Sequence, residues 1–168
     1  MPFIIENDIV VSFADFQDCV DKDQRLFESN EGISDDTVEQ HLVRATEKIL
    51  DKFRATSWWR DYYAKQAKMG FVSPTDVPPL DPTLIKDRQN DFTDLCIYVA
   101  LADYILPSIA DFGREDNSER QKMAYYTQRS SDLFAELLTA GDWYDFDDDG
   151  SVGAYEKEQG IFNLKRVR

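Results

Sequence analysis

Apolar positions recur at helical spacing over much of the chain, most clearly at Val38, Leu42, Ala45, Ile49 and Phe53, which follow one another at steps of four, three, four and four. Such steps put all five on one stripe of a helix. The opposite face carries Glu39, Glu47, Lys48, Asp51 and Lys52, with cations late, where the helix dipole favours them. Ser34-Asp35-Asp36 supplies side-chain oxygens and negative charge at its start. Upstream, Phe13, Phe16, Val20 and Phe27 predict a helix over residues 14–28, opened by a capping-box-like Ser12-Phe13-Ala14-Asp15 and closed by the turn Asn30-Glu31-Gly32. Residues 3–11 are apolar and partly β-branched, and read as a short strand or an extended arm.

Further along, Pro74, Pro78, Pro79 and Pro82 remove donors and disfavour helix before them, so residues 70–82 are expected to form an extended connector. Asp81-Pro82 then offers an N-cap and first position for a third helix, running to Leu106 and stopped by Pro107. Phe92, Leu95, Cys96, Val99, Ala102, Ile105 and Leu106 cover so much of its circumference that it is expected to lie centrally. A fourth helix is predicted over 116–140, with Met123, Tyr126, Leu133, Phe134, Leu137 and Leu138 on one side and Gly141 at a left-handed C-terminal cap. The pattern predicts an all-α fold, a small bundle of about four helices with extended N- and C-terminal arms. Residues 1–13 form the N-terminal arm or strand, 14–141 the helical domain, and 142–168 an acidic EF-hand-like loop followed by a docking arm.

Composition narrows the function classes. Bulky residues are plentiful (42% hydrophobic, 13% aromatic), as a folded core requires. Thirty-three Asp and Glu against nineteen Lys and Arg give a formal charge of −14, which repels phosphates and argues against sequence-specific nucleic-acid binding. Such a surface suits a protein that lets DNA pass without sticking, or an acidic DNA mimic. Cys19 and Cys96 are far apart and lack metal-ligand spacing, which fits buried thiols in a reducing compartment. The start carries Glu6 and Asp8 without a basic region, unlike a signal peptide. The apolar run 92–110 contains Asp94, Asp103 and Pro107, and is expected to be a core helix rather than a membrane span. Trp58, Trp59, Tyr62 and Tyr63 cluster with a single cation, Arg60, between them and Asp61 beside it, and they read as core or subunit interface rather than a base-stacking platform.

Catalytic signatures are absent: the single histidine, His41, sits on a helix border, and no GxSxG, HExxH, GxxxxGKS or GxGxxG string occurs. The expectation is a non-enzymatic protein. One metal motif is complete. Asp145, Asp147 and Asp149, then Gly150 and Glu156, match D-x-D-x-D-G followed by five residues and Glu. Calcium takes six to eight hard oxygens, which Asp145, Asp147, Asp149, the Ser151 backbone carbonyl and both oxygens of Glu156 would provide, with water at Gly153. The flanks are unlike a helix-loop-helix, with Gly141 before the loop and Gly160 after it, so an acidic surface turn is the alternative. The last segment, Ile161 to Arg168, is basic in an acidic chain. Phe162, Leu164, Lys165, Arg166, Val167 and Arg168 read either as a frayed tail or as an arm that docks on a partner's sheet edge or groove.

The run Asp23-Gln-Arg-Leu-Phe-Glu-Ser-Asn-Glu-Gly-Ile-Ser-Asp-Asp, leading into Val38-Glu-Gln-His-Leu-Val-Arg-Ala-Thr-Glu-Lys-Ile-Leu, resembles head-tail adaptor (connector) proteins of tailed bacteriophages. Pro79-Leu-Asp-Pro-Thr-Leu-Ile-Lys and Asp91-Phe-Thr-Asp-Leu-Cys-Ile-Tyr-Val-Ala-Leu-Ala-Asp-Tyr are similar too. The resemblance spans about residues 23–138 and rests on structural rather than catalytic motifs. It implies a virion protein assembled in the host cytoplasm as a homo-oligomeric ring, commonly of twelve subunits. Such a ring sits under the portal protein, holds a tail or neck protein, and lets DNA pass. The acidic loop is not part of that resemblance, and an EF-hand-like calcium-binding interaction module is the competing expectation.

Overall fold

A computed structural model of the chain describes residues 3–6, 9–30, 32–60, 77–110 and 118–157. These residues are mostly helical, with one small two-stranded sheet. Predicted features in 61–76 (Tyr62, Tyr63, most of the connector), at 116–117 and in 158–168 lie outside them. The chain divides into two compact units, residues 1–49 with 88–135, and 50–87 with 136–168.

In the first unit β1 (Ile4–Glu6) and β2 (Ile9–Ser12) pair antiparallel, so the apolar start is a hairpin, with Ile5 and Ile9 exposed. Phe13 follows and is fully buried, its ring centroid 4.6 Å from that of Phe3 and 5.4 Å from that of Phe92. Its backbone is satisfied by side chains from two helices: the N–H donates to Thr46 Oγ1 (3.1 Å), and the carbonyl accepts from Thr93 Oγ1 (2.8 Å). A buried non-sheet residue must find such partners, because an unmet backbone group costs about 1–3 kcal/mol.

The helix expected over 14–28 is two helices, α1 (Phe16–Lys22) and α2 (Gln24–Ser29). The capping box forms three residues later than the sequence suggests, between Asp15 and Asp18, while Ser12 Oγ donates to the Ala14 carbonyl. Asp23 makes the break. Its carboxylate caps α2 through the Leu26 N–H, accepts the Lys122 ammonium at 2.7 and 2.8 Å, and accepts the Tyr126 hydroxyl at 3.0 Å. Those three demands pull its backbone out of the helical region, to φ −142° and ψ 65°.

Helix α3 (Asp35–Arg54) has the amphipathic form its spacing predicts, with Val38, Leu42, Ala45, Ile49 and Phe53 all buried. Asp81-Pro82 opens only a single 3₁₀ turn, Pro82–Leu84, after which Ile85 is extended and makes a bridge to Tyr144. The long apolar helix, α4 (Gln89–Ile109), therefore starts later than expected. It also continues past Pro107. Leu101–Ile105 is a π-helical turn, in which the Leu106 N–H reaches back to the Leu101 carbonyl. The wider turn comes just before Pro107, where a regular helix would set the proline ring against the carbonyl of Asp103. α4 is long and apolar enough to cross a membrane, but 67% of its most apolar window is buried within the chain, as a core helix would be.

Helix α5 (Ser118–Ala140) begins in the first unit and ends in the second. The second unit packs around aromatic rings: Phe53, Trp58, Trp59, Trp143, Tyr144 and Phe146. Residues 77–80 are tied in by the Arg54 Nε donating to the Val77 carbonyl and the Trp59 indole N–H donating to the Pro78 carbonyl, each at 2.7 Å.

Candidate metal centre

The approach to the acidic loop begins where α5 stops. Gly141 has φ +58°, and its N–H donates to the Leu137 carbonyl at 3.0 Å, the left-handed cap expected of it. The same carbonyl accepts the Trp143 indole N–H at 2.8 Å. Residues 143–145 then run extended beside 84–87: the Trp143 carbonyl accepts the Lys86 N–H (3.1 Å), and the Asp145 N–H donates to the Leu84 carbonyl (2.9 Å). The Tyr144 hydroxyl accepts the Asp81 N–H at 3.2 Å. Trp143 and Tyr144 are both buried, with the Trp58 ring centroid 4.8 Å from that of Trp143 and the planes tilted by 34°. A helix does not lead into this loop. An aromatic wedge holds its leading end instead, a device the helical spacing rules do not register.

Within the loop, Asp145 is fully buried, and its carboxylate accepts the N–H groups of Asp149 (3.3 Å) and Gly150 (2.8 Å). Asp149 Oδ1 accepts both the N–H and the hydroxyl of Ser151, at 2.9 and 3.0 Å. The reversal uses left-handed backbone at Asp148 (φ +57°) and Gly150 (φ +94°). Nothing lies within 4 Å of the position a Cβ on Gly150 would take, so backbone angle and not space requires glycine there. The turn brings one carboxylate oxygen each from Asp145, Asp147 and Asp149 within 4.8 Å of one another.

Glu156 lies differently from the sequence expectation. It is fully buried, and both oxygens are engaged by backbone donors: Oε1 by Phe146 (2.6 Å) and Asp147 (3.3 Å), Oε2 by Gly153 in a short hydrogen bond. It belongs to a helical turn, α6 (Ala154–Lys157), which takes in the last three positions of the loop and one residue beyond. The structure thus gathers the three aspartates and uses Glu156 to clasp the loop's two ends. Ser151 is exposed at the rim.

The donor set fits a hard cation. Three carboxylates converge, no thiol or imidazole accompanies them, and the spacing of their oxygens suits an ion of calcium's coordination radius. Oε1 of Glu156 already accepts two N–H groups and Oε2 one, so Glu156 would bind an ion through both oxygens only by giving up a bond at Oε1.

His41 stacks on Tyr104 (5.5 Å, 8° between planes), with the Arg44 guanidinium over the same tyrosine ring. Burial, then the Arg44 charge, lowers its pKa. Burial pushes the Cys96 thiol up to about 12 and also raises Cys19, so neither is a ready thiolate. The proposed docking residues Phe162, Leu164, Lys165, Arg166, Val167 and Arg168 lie outside the described residues. The Asp23–Lys122–Tyr126 network has no signal in the sequence, because its members are 99 and 103 positions apart. Comparison of the chain with protein-family models, curated proteins and solved structures finds no match.

Proposed function

We propose that the chain is a non-enzymatic virion structural protein, the head-tail adaptor of a tailed bacteriophage, built on a small helical bundle. In this reading a homo-oligomeric ring joins the portal to a tail or neck protein and leaves DNA a path with an acidic lining. The observation that carries it is the succession of elements within the resembling span. Amphipathic α3, a proline-bearing non-helical connection at 77–80 and a long buried α4 follow in the order that the resemblance implies. Ile5 and Ile9, exposed on a two-stranded sheet that no third strand joins among the described residues, add a contact surface of the kind an assembling subunit needs. Particle mass and symmetry, by light scattering and electron microscopy of the chain alone and with its portal, test the reading. A closed ring seated on the portal is expected; a chain that stays monomeric even with portal present would sink it.

A second reading concerns the loop and is compatible with the first. The convergence of Asp145, Asp147 and Asp149 favours calcium binding, with the ion supplying a positive centre that relieves their mutual repulsion. Calorimetry with calcium should give a saturable heat for the wild type, lost in Asp147→Asn with Asp149→Asn. Those two residues are exposed, so the fold survives their substitution. Absence of heat from the wild type up to millimolar calcium would exclude the ion.

A further inference from the structure

A groove of about 510 Å³ opens in the first unit between the hairpin and the first half of α3. Its apolar floor includes Val11 and Val43, and its walls carry Glu6, Asp15, Asp36 and Glu39, with no Lys or Arg among the lining residues. Among the described residues, Glu6, Asp36 and Glu39 form no ion pair. Lys22, Lys48 and Lys122, by contrast, are committed to Asp94, Asp103 and Asp23. Four like charges around an apolar floor repel one another and select a cationic, partly apolar occupant.

The chain contains such a segment. Residues 161–168 hold three cations (Lys165, Arg166, Arg168), four apolar residues (Ile161, Phe162, Leu164, Val167) and no Asp or Glu, in a protein of net charge −14. We infer that this groove receives residues 161–168 of a second copy of the chain. Groove and segment are different patches of one sequence, so their pairing is head-to-tail. Repeated from copy to copy, a head-to-tail contact closes into a ring or runs on as a filament. The inference rests on the ring reading above and supplies its subunit contact. The apolar side chains fill the floor, while Lys165, Arg166 and Arg168 meet the carboxylates on the walls.

The test uses a fluorescent peptide of residues 161–168 and the full chain carrying Lys165→Glu, Arg166→Glu and Arg168→Glu, so that its own segment does not compete. Fluorescence anisotropy should show saturable binding that weakens steeply with salt. Adding Glu6→Lys and Glu39→Lys takes the groove from four negative charges to a balance of two and two and should weaken binding at least tenfold, and a peptide with its three cations changed to Glu should show no saturable binding to the unchanged groove. Both groove positions are exposed, and circular dichroism checks the fold; Glu6→Gln with Glu39→Gln gives a milder pair expected to weaken binding in the same direction. No saturable binding, or equal affinity for both grooves, overturns the assignment. Light scattering separates this outcome from the ring reading. A closed wild-type ring that Glu6→Lys with Glu39→Lys leaves intact removes the groove and spares the adaptor. Saturable, groove-dependent peptide binding without a ring supports the groove alone.

Discussion

Gly141 shows how much one residue decides. A side chain there would hold a left-handed backbone and place its Cβ 3.2 Å from the Trp58 indole nitrogen. Gly141→Ala should therefore cost about 1–2 kcal/mol from backbone alone, with further loss as Trp58 shifts, seen as a lower melting temperature and altered tryptophan emission. This cap is legible in the sequence, because a glycine directly after the last apolar position of a helical pattern is the residue a left-handed ending asks for. His41 is legible as a residue but not as a titrating one. Its folded pKa is lowered from 6.5, so the folded state binds the proton less readily than the unfolded state. Its stabilising contribution is present above pH 6.5 and is lost as pH falls through that value towards the folded pKa. A His41→Phe variant keeps a ring against Tyr104 and should lose less stability than the wild type between neutral pH and pH 5, measured by thermal melts at each pH.

Between elements, the longest-range ties are polar ones that no periodicity announces. Asp23 ends α1, caps α2 and holds Lys122 and Tyr126 of α5, with its side chain only 9% exposed. Asp23→Asn keeps an acceptor for the cap and should cost less than Asp23→Ala, which strands all three partners. A loss of roughly 2–3 kcal/mol for the alanine variant in urea unfolding, against about 1 for asparagine, is expected. Thr46→Val removes the acceptor for the buried Phe13 N–H and should cost about 1–3 kcal/mol, with Thr46→Ser retaining most of the stability. The stripe on α3 is readable because five apolar side chains share one face and one reason. The break at Asp23, the late start of α4 and its passage through Pro107 are not. Each depends on a partner or a backbone adjustment distant in sequence or invisible to it: Lys122, the bridge from Ile85 to Tyr144, and the π turn. The loop's aspartates are legible from spacing alone, but the aromatic wedge before them and the inward turn of Glu156 are not.

At the scale of the whole chain, the two units carry different natural probes. Trp58, Trp59 and Trp143, all the tryptophans of the sequence, belong to the second unit, and both cysteines are buried in the first. If the loop takes calcium, a concentration near 100 times its dissociation constant should stabilise the folded state by about 2.7 kcal/mol. Tryptophan emission should then register a larger shift than the exposure of Cys19 and Cys96 to a thiol reagent. Equal shifts would mean that the units unfold as one. Glu156 bears on where such binding occurs. Its oxygens already hold the N–H groups of Phe146, Asp147 and Gly153. An ion that draws in both Glu156 oxygens gives up charged hydrogen bonds at Oε1 worth about 1.5–3 kcal/mol each, and one that does without them has fewer ligands, so either way the affinity moves towards the weak end of calcium loops, on the order of 10⁻⁴–10⁻³ M. A loop of that strength stays empty inside a living cell and fills in the calcium of open surroundings. On the proposed adaptor reading, and with calcium in the loop, a particle built from this chain would be looser while it is being put together and firmer once it has left its maker.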